Sequence, residues 1–325
     1  MMSRRIRVYE NGGPEVLRFE DFEPGEPRPG EVRLRQTAIA VNYREIYVRN
    51  GLHKLALPTG LGIEGAGVVE AVGPGVEHLA VGQRAAACGG PDNAYAEHRI
   101  VPAWRAIALP DAIDDRTAAA MMVRGMTARY LLFATYPVKK GDTILVHAAA
   151  GGVGLILCQW AHALGATVIG TVGSPNKAEL ARANGCAHPL VLGRDDFVAK
   201  VKEITGGKLC DVVYDSIGKT TFEDSLHCVR PRGVLASFGE SSGDPDPVPP
   251  RRLGPLGSIY LTHPSLPHYT ATRAEFEACA RDLFGAATDG TVKIAVNHVY
   301  PFAEAAQAHR DLEARRTTGS TILIT

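Results

Sequence analysis

The residues Ala149-Ala150-Gly151-Gly152-Val153-Gly154 carry the clearest chemistry in the sequence. An apolar run over 143–148 leads into them and an apolar helical stretch over 153–164 leaves them. The pattern is G-x-G-x-x-G, which cradles the pyrophosphate of a dinucleotide, with Ala149 in its first place. Gly151 lets backbone N–H groups approach the phosphates. Gly154 lets the helix lie close to the strand, and the helix N-terminus meets the anion's charge. A second strand, expected over 167–172, completes the βαβ context that separates this pattern from a tightened turn.

The end of that second strand selects the nucleotide. NAD sites place Asp or Glu there, to bond the ribose 2′-OH. Here the chain reads IGTVGSPNKAEL over 169–180, with no acid before Glu179. The Ser174 hydroxyl and Lys177, at a helix start, suit a 2′-phosphate that a carboxylate would repel. The expected cofactor is NADPH (NADP).

Metal chemistry has no comparable support. Zinc needs three or four ligands of Cys, His or carboxylate type. The six cysteines, Cys88, Cys158, Cys186, Cys210, Cys228 and Cys279, form no C-x-x-C pair, and the eleven histidines form no i, i+4 pair. His147, at a strand end, reads as a hydrogen-bonded core residue. Scattered cysteines in a chain of this length point to reduced thiols and a cytoplasmic protein.

The elements that must position these groups fall into two kinds. From Asp142 to about Gly239, strands expected over 143–148, 167–172, 212–216 and 234–238 alternate with helices over 153–164, 177–183, 197–205 and 222–229. That alternation means βαβ units and a parallel sheet. The first ~120 residues are short β-like runs broken by Gly and Pro, at 6–9, 32–40, 65–72 and 94–101, followed by a helical stretch from Asp114. After a Pro- and Gly-rich loop over 241–257 come a strand over 258–261, a helix over 273–287 and a closing strand. The ends resemble each other more than the middle, so the middle domain is expected to be inserted into a discontinuous one.

The 325 residues are 45% hydrophobic, enough for a sizeable core. Lys and Arg number 35, as do Asp and Glu, so no net charge favours nucleic acid or an anionic membrane. The N-terminus lacks the apolar core of a signal peptide, and no apolar run approaches the ~20 residues of a membrane span.

Taken together, these residues resemble the zinc-free quinone oxidoreductases of the medium-chain dehydrogenase/reductase superfamily, the zeta-crystallin relatives. The likeness runs from NGGPEVL (11–17) through VNYREIYVRNG (41–51), GLGIEGAGVVEAVG (60–73), HAAAGGVGLILCQWA (147–161), GTVGSPNKA (170–178), EITGGK (203–208), VVYDSIG (212–218) and SFGESSG (237–243) to GSTILIT (319–325). Zinc alcohol dehydrogenases carry Cys and His where this chain has Asn42 and Ile63, and one carboxylate, Glu64, is not a metal site. The resemblance implies an α/β fold: a Rossmann doubly wound parallel sheet (125–265) inserted into a GroES-like β-rich catalytic domain (1–124 and 266–325), with a cleft between them. It also implies NADPH and a homodimer, for which 258-SIYL-261 reads as an unpaired apolar edge strand.

The resemblance further implies site residues. Asn42, Tyr47 and Thr127 match positions at the nicotinamide end. Ala149, Ala150, Gly151, Gly152 and Val153 match the pyrophosphate turn, and Gly173 and Lys177, beside Ser174, the adenosine phosphate. Ser216, Phe238, Gly239 and Ser241 match contacts at the sheet's carboxyl edge, and Arg315 an arginine near the 2′-phosphate. The chain departs from its relatives at Leu192, where a tyrosine often helps hold the 2′-phosphate, at His263 (Arg in close relatives) and at Glu240 (Asn). The expected reaction is hydride transfer to a quinone, with Tyr47 as candidate proton donor and Asn42 orienting the nicotinamide or a water. Reduction of an α,β-unsaturated carbonyl (an enone or enal) is the alternative acceptor chemistry. An NADPH-binding protein with an RNA-binding or structural role is the non-enzymatic one.

Overall fold

The computed structural model describes residues 2–325. The chain divides into two compact units. One holds the chain up to Arg124 with Thr270–Thr288 and Ile294–Thr325; the other holds Gly125–Tyr269 and Asp289–Lys293. The second division thus falls beyond the expected 265/266, and a short return segment goes with the middle unit.

The first unit begins with β1 (Ser3–Val8), β2 (Leu17–Phe22), β3 (Glu31–Val41) and α1 (Tyr43–Asn50). It continues with β4 (Thr59–Gly60), β5 (Glu64–Val72), β6 (Arg84–Cys88), β7 (His98–Pro102), β8 (Ala106–Ala108) and α2 (Asp115–Tyr130), within which the units divide. The middle unit supplies β9 (Thr143–Val146), α3 (Gly152–Ala163), β10 (Thr167–Val172), α4 (Pro175–Ala183), β11 (His188–Val191) and α5 (Phe197–Ile204). Then come β12 (Cys210–Asp215), α6 (Phe222–Leu226), β13 (Val229–Ser237), β14 (Tyr260–Thr262) and α7 (Leu266–Tyr269). The chain returns to the first unit with α8 (Arg273–Thr288), β15 (Val296–Pro301), α9 (Ala305–Glu313) and β16 (Ser320–Ile324).

In the middle unit six strands run in the order β11-β10-β9-β12-β13-β14, every pair parallel. By position in the unit this is 3-2-1-4-5-6, the doubly wound order whose strand sequence reverses between β9 and β12. The strands are short apolar runs because they are covered on both faces. Leu145, Ile169, Val213 and Leu235 are buried in one cluster with Phe197, Val201, Phe222 and Ile259 from the connecting segments. Ligands of such sheets bind outside the carboxyl ends of the strands, near the reversal.

Among the described residues, the first unit has a three-stranded sheet, β2-β1-β4, and a seven-stranded one, β15-β16-β3-β5-β6-β8 with β7 also on β3. The long β3 is the hub. Its Val32 and Leu34 face one core with Val69 and Val101, and its Ile39 and Val41 another with Ile6, Val48 and Leu323.

Several expected elements shift. The strand expected over 94–101 begins only at His98, because the side-chain amide of Gln36 takes the carbonyls of Ala94 and Ala96. The edge strand expected over 258–261 is Tyr260–Thr262. Ser258 has a left-handed φ of 54° and Ile259 is buried, so neither extends the edge. The helix expected over 222–229 stops at Leu226, since Val229 already opens β13.

Candidate functional site

The glycine-rich turn is built between β9 and α3. Ala148 takes a left-handed φ of 51°, a conformation costly for a residue with a Cβ. The turn holds it there: the Gly151 amide donates to the Ala148 carbonyl at 2.8 Å, and the Ala149 amide to Thr171 on β10 at 3.0 Å. Gly151 is the N-cap of α3 and supplies no side-chain cap, which leaves the first-turn N–H groups to an acceptor from outside. At Gly154 a Cβ would stand 2.2 Å from the Ala148 carbonyl oxygen and 2.8 Å from the Ala149 Cα, so only glycine lets α3 approach. Ala149 and Ala150 are buried, while Gly151, Gly152 and Val153 are partly exposed on the turn. These residues fit a dinucleotide's pyrophosphate in backbone geometry and in charge.

At the end of β10, Gly173 is exposed and Ser174 caps α4, its Oγ accepting from the Lys177 backbone N–H at 3.4 Å. The Ser174 hydroxyl keeps its own hydrogen for donation. The Lys177 side chain is partly buried on the first turn of α4. The Leu192 side chain packs on the core around Leu190 and carries no polar atom, while its backbone N–H donates to the Val172 carbonyl at 2.8 Å.

The carboxyl ends of β12 and β13 form one bonded assembly. Asp215, fully buried, accepts from the Thr221 and Ser225 hydroxyls and from the Ile217 and Gly218 amides. His147, buried at the end of β9, bonds Thr171 Oγ1 through Nδ1 at 2.8 Å and Ser225 Oγ through Nε2 at 2.9 Å. Burial pushes its basicity down, and Asp215, 3.9 Å away, pulls the other way. It is a hydrogen-bonded core residue, as expected. On this base, the Phe238 amide donates to the Asp215 carbonyl at 2.7 Å and the Ser241 amide to the Ser216 carbonyl at 3.4 Å. A Cβ on Gly239 would lie 3.0 Å from that same Ser216 oxygen. Ser216, Phe238, Gly239 and Ser241 are therefore brought together. Thr127, nine-tenths buried on α2, is hydrogen-bonded to Tyr130, whose ring stacks on Tyr269 at 4.4 Å.

In the first unit, Asn42 precedes α1 and Tyr47 lies within it. Asn42 Nδ2 donates to Glu64 Oε1 at 2.9 Å, and the Val123 amide donates to Glu64 Oε2 at 2.6 Å. Arg124 stands 3.5 Å from Glu64 and donates to the Val41 carbonyl at 2.6 Å. Burial raises the Glu64 carboxyl, against the pull of Arg124. Glu45 reaches back from the first turn of α1 to the Asn42 backbone N–H at 2.6 Å. It is fully buried, and that burial pushes its carboxyl up to about 7, with Arg44 opposing. The Tyr47 ring is 8% exposed and meets His53 edge-on at 5.0 Å. Arg315 follows α9 with a left-handed φ of 57° and is exposed.

Glu45 and Arg124, which fix Asn42 and its partner Glu64, were not singled out from sequence. Arg124 is a lone charge inside an otherwise apolar stretch, whereas Glu45, next to Arg44 in YREIYVRN, reads as an ordinary surface carboxylate. At the position of a zinc-binding histidine, the Ile63 carbonyl accepts from the Gly89 amide and from Arg99. Among the described residues no group of three His, Cys, Asp or Glu could hold a metal.

Comparison with known proteins agrees with this layout. The alcohol dehydrogenase GroES-like domain family matches residues 28–111, and the zinc-binding dehydrogenase family matches residues 152–284. A quinone oxidoreductase of Pseudomonas aeruginosa is 50% identical over 99% of this chain and 100% of its own length. A 2-haloacrylate reductase of a Burkholderia species is 46% identical over 98% of this chain and 97% of its own. The crystal structure of the Escherichia coli quinone oxidoreductase complexed with NADPH superposes with a TM-score of 0.97 at 43% identity, covering 99% of this chain and 100% of that one. With the ligand positions of a zinc site filled by Asn42 and Ile63, the chain belongs to the zinc-free quinone oxidoreductase family of the medium-chain dehydrogenase/reductase superfamily.

Proposed function

We propose that this protein is an NADPH-dependent, metal-independent quinone reductase. One observation carries the reading: the α3 N-terminus and its close-packed Gly154 stand at the strand-order reversal of a 3-2-1-4-5-6 sheet whose second strand ends without an acid. The quinone oxidoreductases to which the chain is similar supply the acceptor class.

Bound NADPH would supply the hydride, from C4 of its nicotinamide. The backbone of Ala149–Val153 holds the pyrophosphate, and Ser174, Lys177 and Arg315 meet the 2′-phosphate, beside Gly173. Ser216, Phe238, Gly239 and Ser241 hold the nucleotide along the sheet's carboxyl edge, with Thr127 at its nicotinamide end. Asn42, fixed by Glu64, orients the nicotinamide or a water. The Tyr47 hydroxyl donates a hydrogen bond, then a proton, to the quinone oxygen as it gains charge.

The 2-haloacrylate reductase relative favours a second acceptor, an activated alkene, on the same machinery. A formal net charge of zero gives the RNA-binding reading no long-range electrostatic term. All six cysteines are buried and outside any disulfide, which supports a reducing, cytoplasmic setting. No described helix is long and apolar enough to cross a membrane. The chain pairs as a homodimer through β14, the outer strand of the parallel sheet, where Tyr260 is 64% exposed.

A steady-state panel of benzoquinones, naphthoquinones, enals and 2-haloacrylates, each with NADPH and NADH, tests the reading. Quinones with NADPH should give the highest kcat/KM. A preference for the alkenes would move the protein to the second acceptor class, and turnover of none would refute the enzymatic reading.

A further inference from the structure

The glycine-rich turn rests on a buried side chain to which the mechanism gives no part. His147 directly precedes the left-handed Ala148 and is 1% exposed. Its amide donates to the Tyr214 carbonyl at 3.0 Å, and the Ala149 amide donates to the Thr171 carbonyl at 3.0 Å. Both neighbours of Ala148 are therefore tied to adjoining strands, β12 and β10. The His147 ring is fixed as well. Its Nδ1 lies 2.8 Å from Thr171 Oγ1 and its Nε2 2.9 Å from Ser225 Oγ, while the Phe197 ring meets it edge-on at 5.2 Å.

The hydrogens along this chain have one arrangement. Ser225 Oγ carries a single hydrogen, and two acceptors, Asp215 Oδ2 and the Thr221 carbonyl, stand 2.8 Å from it. Toward His147 the hydroxyl can only accept, which puts the imidazole hydrogen on Nε2. Burial pushes the basicity of His147 down, so the ring is neutral. Its Nδ1 is then bare and takes the Thr171 hydroxyl hydrogen. Donation runs from Thr171 to His147 to Ser225 to Asp215, crossing beneath the turn from the end of β10 to the end of β12. Thr171 thus holds the turn twice, its carbonyl on the Ala149 amide and its hydroxyl on the His147 ring.

We propose that His147 is a positioning residue for the nucleotide's pyrophosphate, acting through the turn that follows it. Bonded to Thr171 and Ser225, it keeps Ala148 left-handed and the first turn of α3 in its binding geometry before the nucleotide arrives. A turn ordered in advance costs less to bind. Without these bonds Ala148 is free to leave a conformation that a Cβ disfavours, and part of the binding energy goes to restoring it. The proposal rests on the reading of this turn as the pyrophosphate cradle.

Thr171→Val removes the hydroxyl and keeps the β-branched shape that suits β10, whereas Thr171→Ser keeps the hydroxyl. His147→Leu removes the ring, and the Thr171 pair carries the test if that protein does not fold. Titration calorimetry on the full-length proteins, well below their melting temperatures, gives the dissociation constants of NADPH and NADH, which share the pyrophosphate. Competition against NADPH gives that of adenosine 2′-monophosphate, which lacks it. Thr171→Val should weaken NADPH and NADH by one common factor, roughly three- to tenfold, about the worth of one hydrogen bond. His147→Leu should weaken both further, Thr171→Ser should bind like the wild type, and adenosine 2′-monophosphate should bind all of them equally. A Thr171→Val protein that melts earlier yet binds NADPH as tightly as the wild type overturns the proposal and leaves His147 a purely structural residue. An equal loss for adenosine 2′-monophosphate overturns it too, because the effect then lies outside the turn. If the wild type binds no NADPH, the cradle reading itself falls.

Discussion

Replacing Glu45 with glutamine should make the protein more stable at neutral and alkaline pH while changing little at acid pH. Glu45 is fully buried, with Oε2 on the Asn42 amide and Oε1 without a hydrogen-bond partner. Burial raises its carboxyl from 4.5 to about 7. Between those values the folded state keeps a proton that the unfolded chain has released. The carboxyl's contribution is thus complete below about pH 4.5 and is lost as pH rises through 7. A rise from 4.5 to about 7, at 1.36 kcal/mol per pH unit, sets an upper bound of about 3.4 kcal/mol. Glutamine reproduces the protonated form in shape and leaves an oxygen for the Asn42 amide. Urea unfolding at about pH 5 and about pH 8 measures the effect. Trp104 reports on the unit that holds Glu45, and a Trp160→Phe background removes the other tryptophan, which lies in the middle unit. The two proteins should lie within about 1 kcal/mol of each other near pH 5, and Glu45→Gln should gain on the wild type by on the order of 1–3 kcal/mol between there and pH 8. The same difference at both pH values would refute the argument that burial governs this carboxyl.

Further expectations follow from the site. Lys177→Ala should weaken NADPH binding by about 1–3 kcal/mol, the worth of a charged hydrogen bond, and leave NADH nearly unchanged by titration calorimetry; equal losses would mean that Lys177 does not face the 2′-phosphate. Tyr47→Phe should lower kcat and kcat/KM together by roughly ten- to a thousandfold, more for weak acceptors than for reactive quinones. An unchanged kcat would leave water as the proton source. Tyr260→Glu should drive the protein to monomers in light scattering, because a charge on an edge strand opposes pairing; a wild-type monomer at micromolar concentration would remove the dimer.

The parallel unit was legible because each of its central strands is a short apolar run between turn residues, and Gly154 announces the close approach of α3. Its weak points were local. β11 begins His188-Pro189, which reads as loop, and β13 starts at Val229 because Arg232 takes a left-handed φ of 59° inside Arg230-Pro231-Arg232-Gly233. Nothing in the letters assigns that conformation to an arginine, or a left-handed φ to Ala148 rather than to a neighbouring glycine. Asn42 and Tyr47 came from resemblance rather than from pattern. What holds Asn42, the buried set Glu45, Glu64 and Arg124, is hidden in sequence because charged residues are ordinarily solvated. Only tertiary packing shows that α1, β5 and α2 enclose them.

The most direct test of the central claim is the oxidation of NADPH by a benzoquinone, followed at 340 nm, with protein dialysed against a chelator and its metal content measured alongside. The account predicts full turnover with zinc far below one per chain, and a slower rate when the transferred hydrogen of NADPH is deuterium. Activity that vanishes on dialysis and returns with one zinc per chain, or NADPH that is not consumed at all, would contradict it.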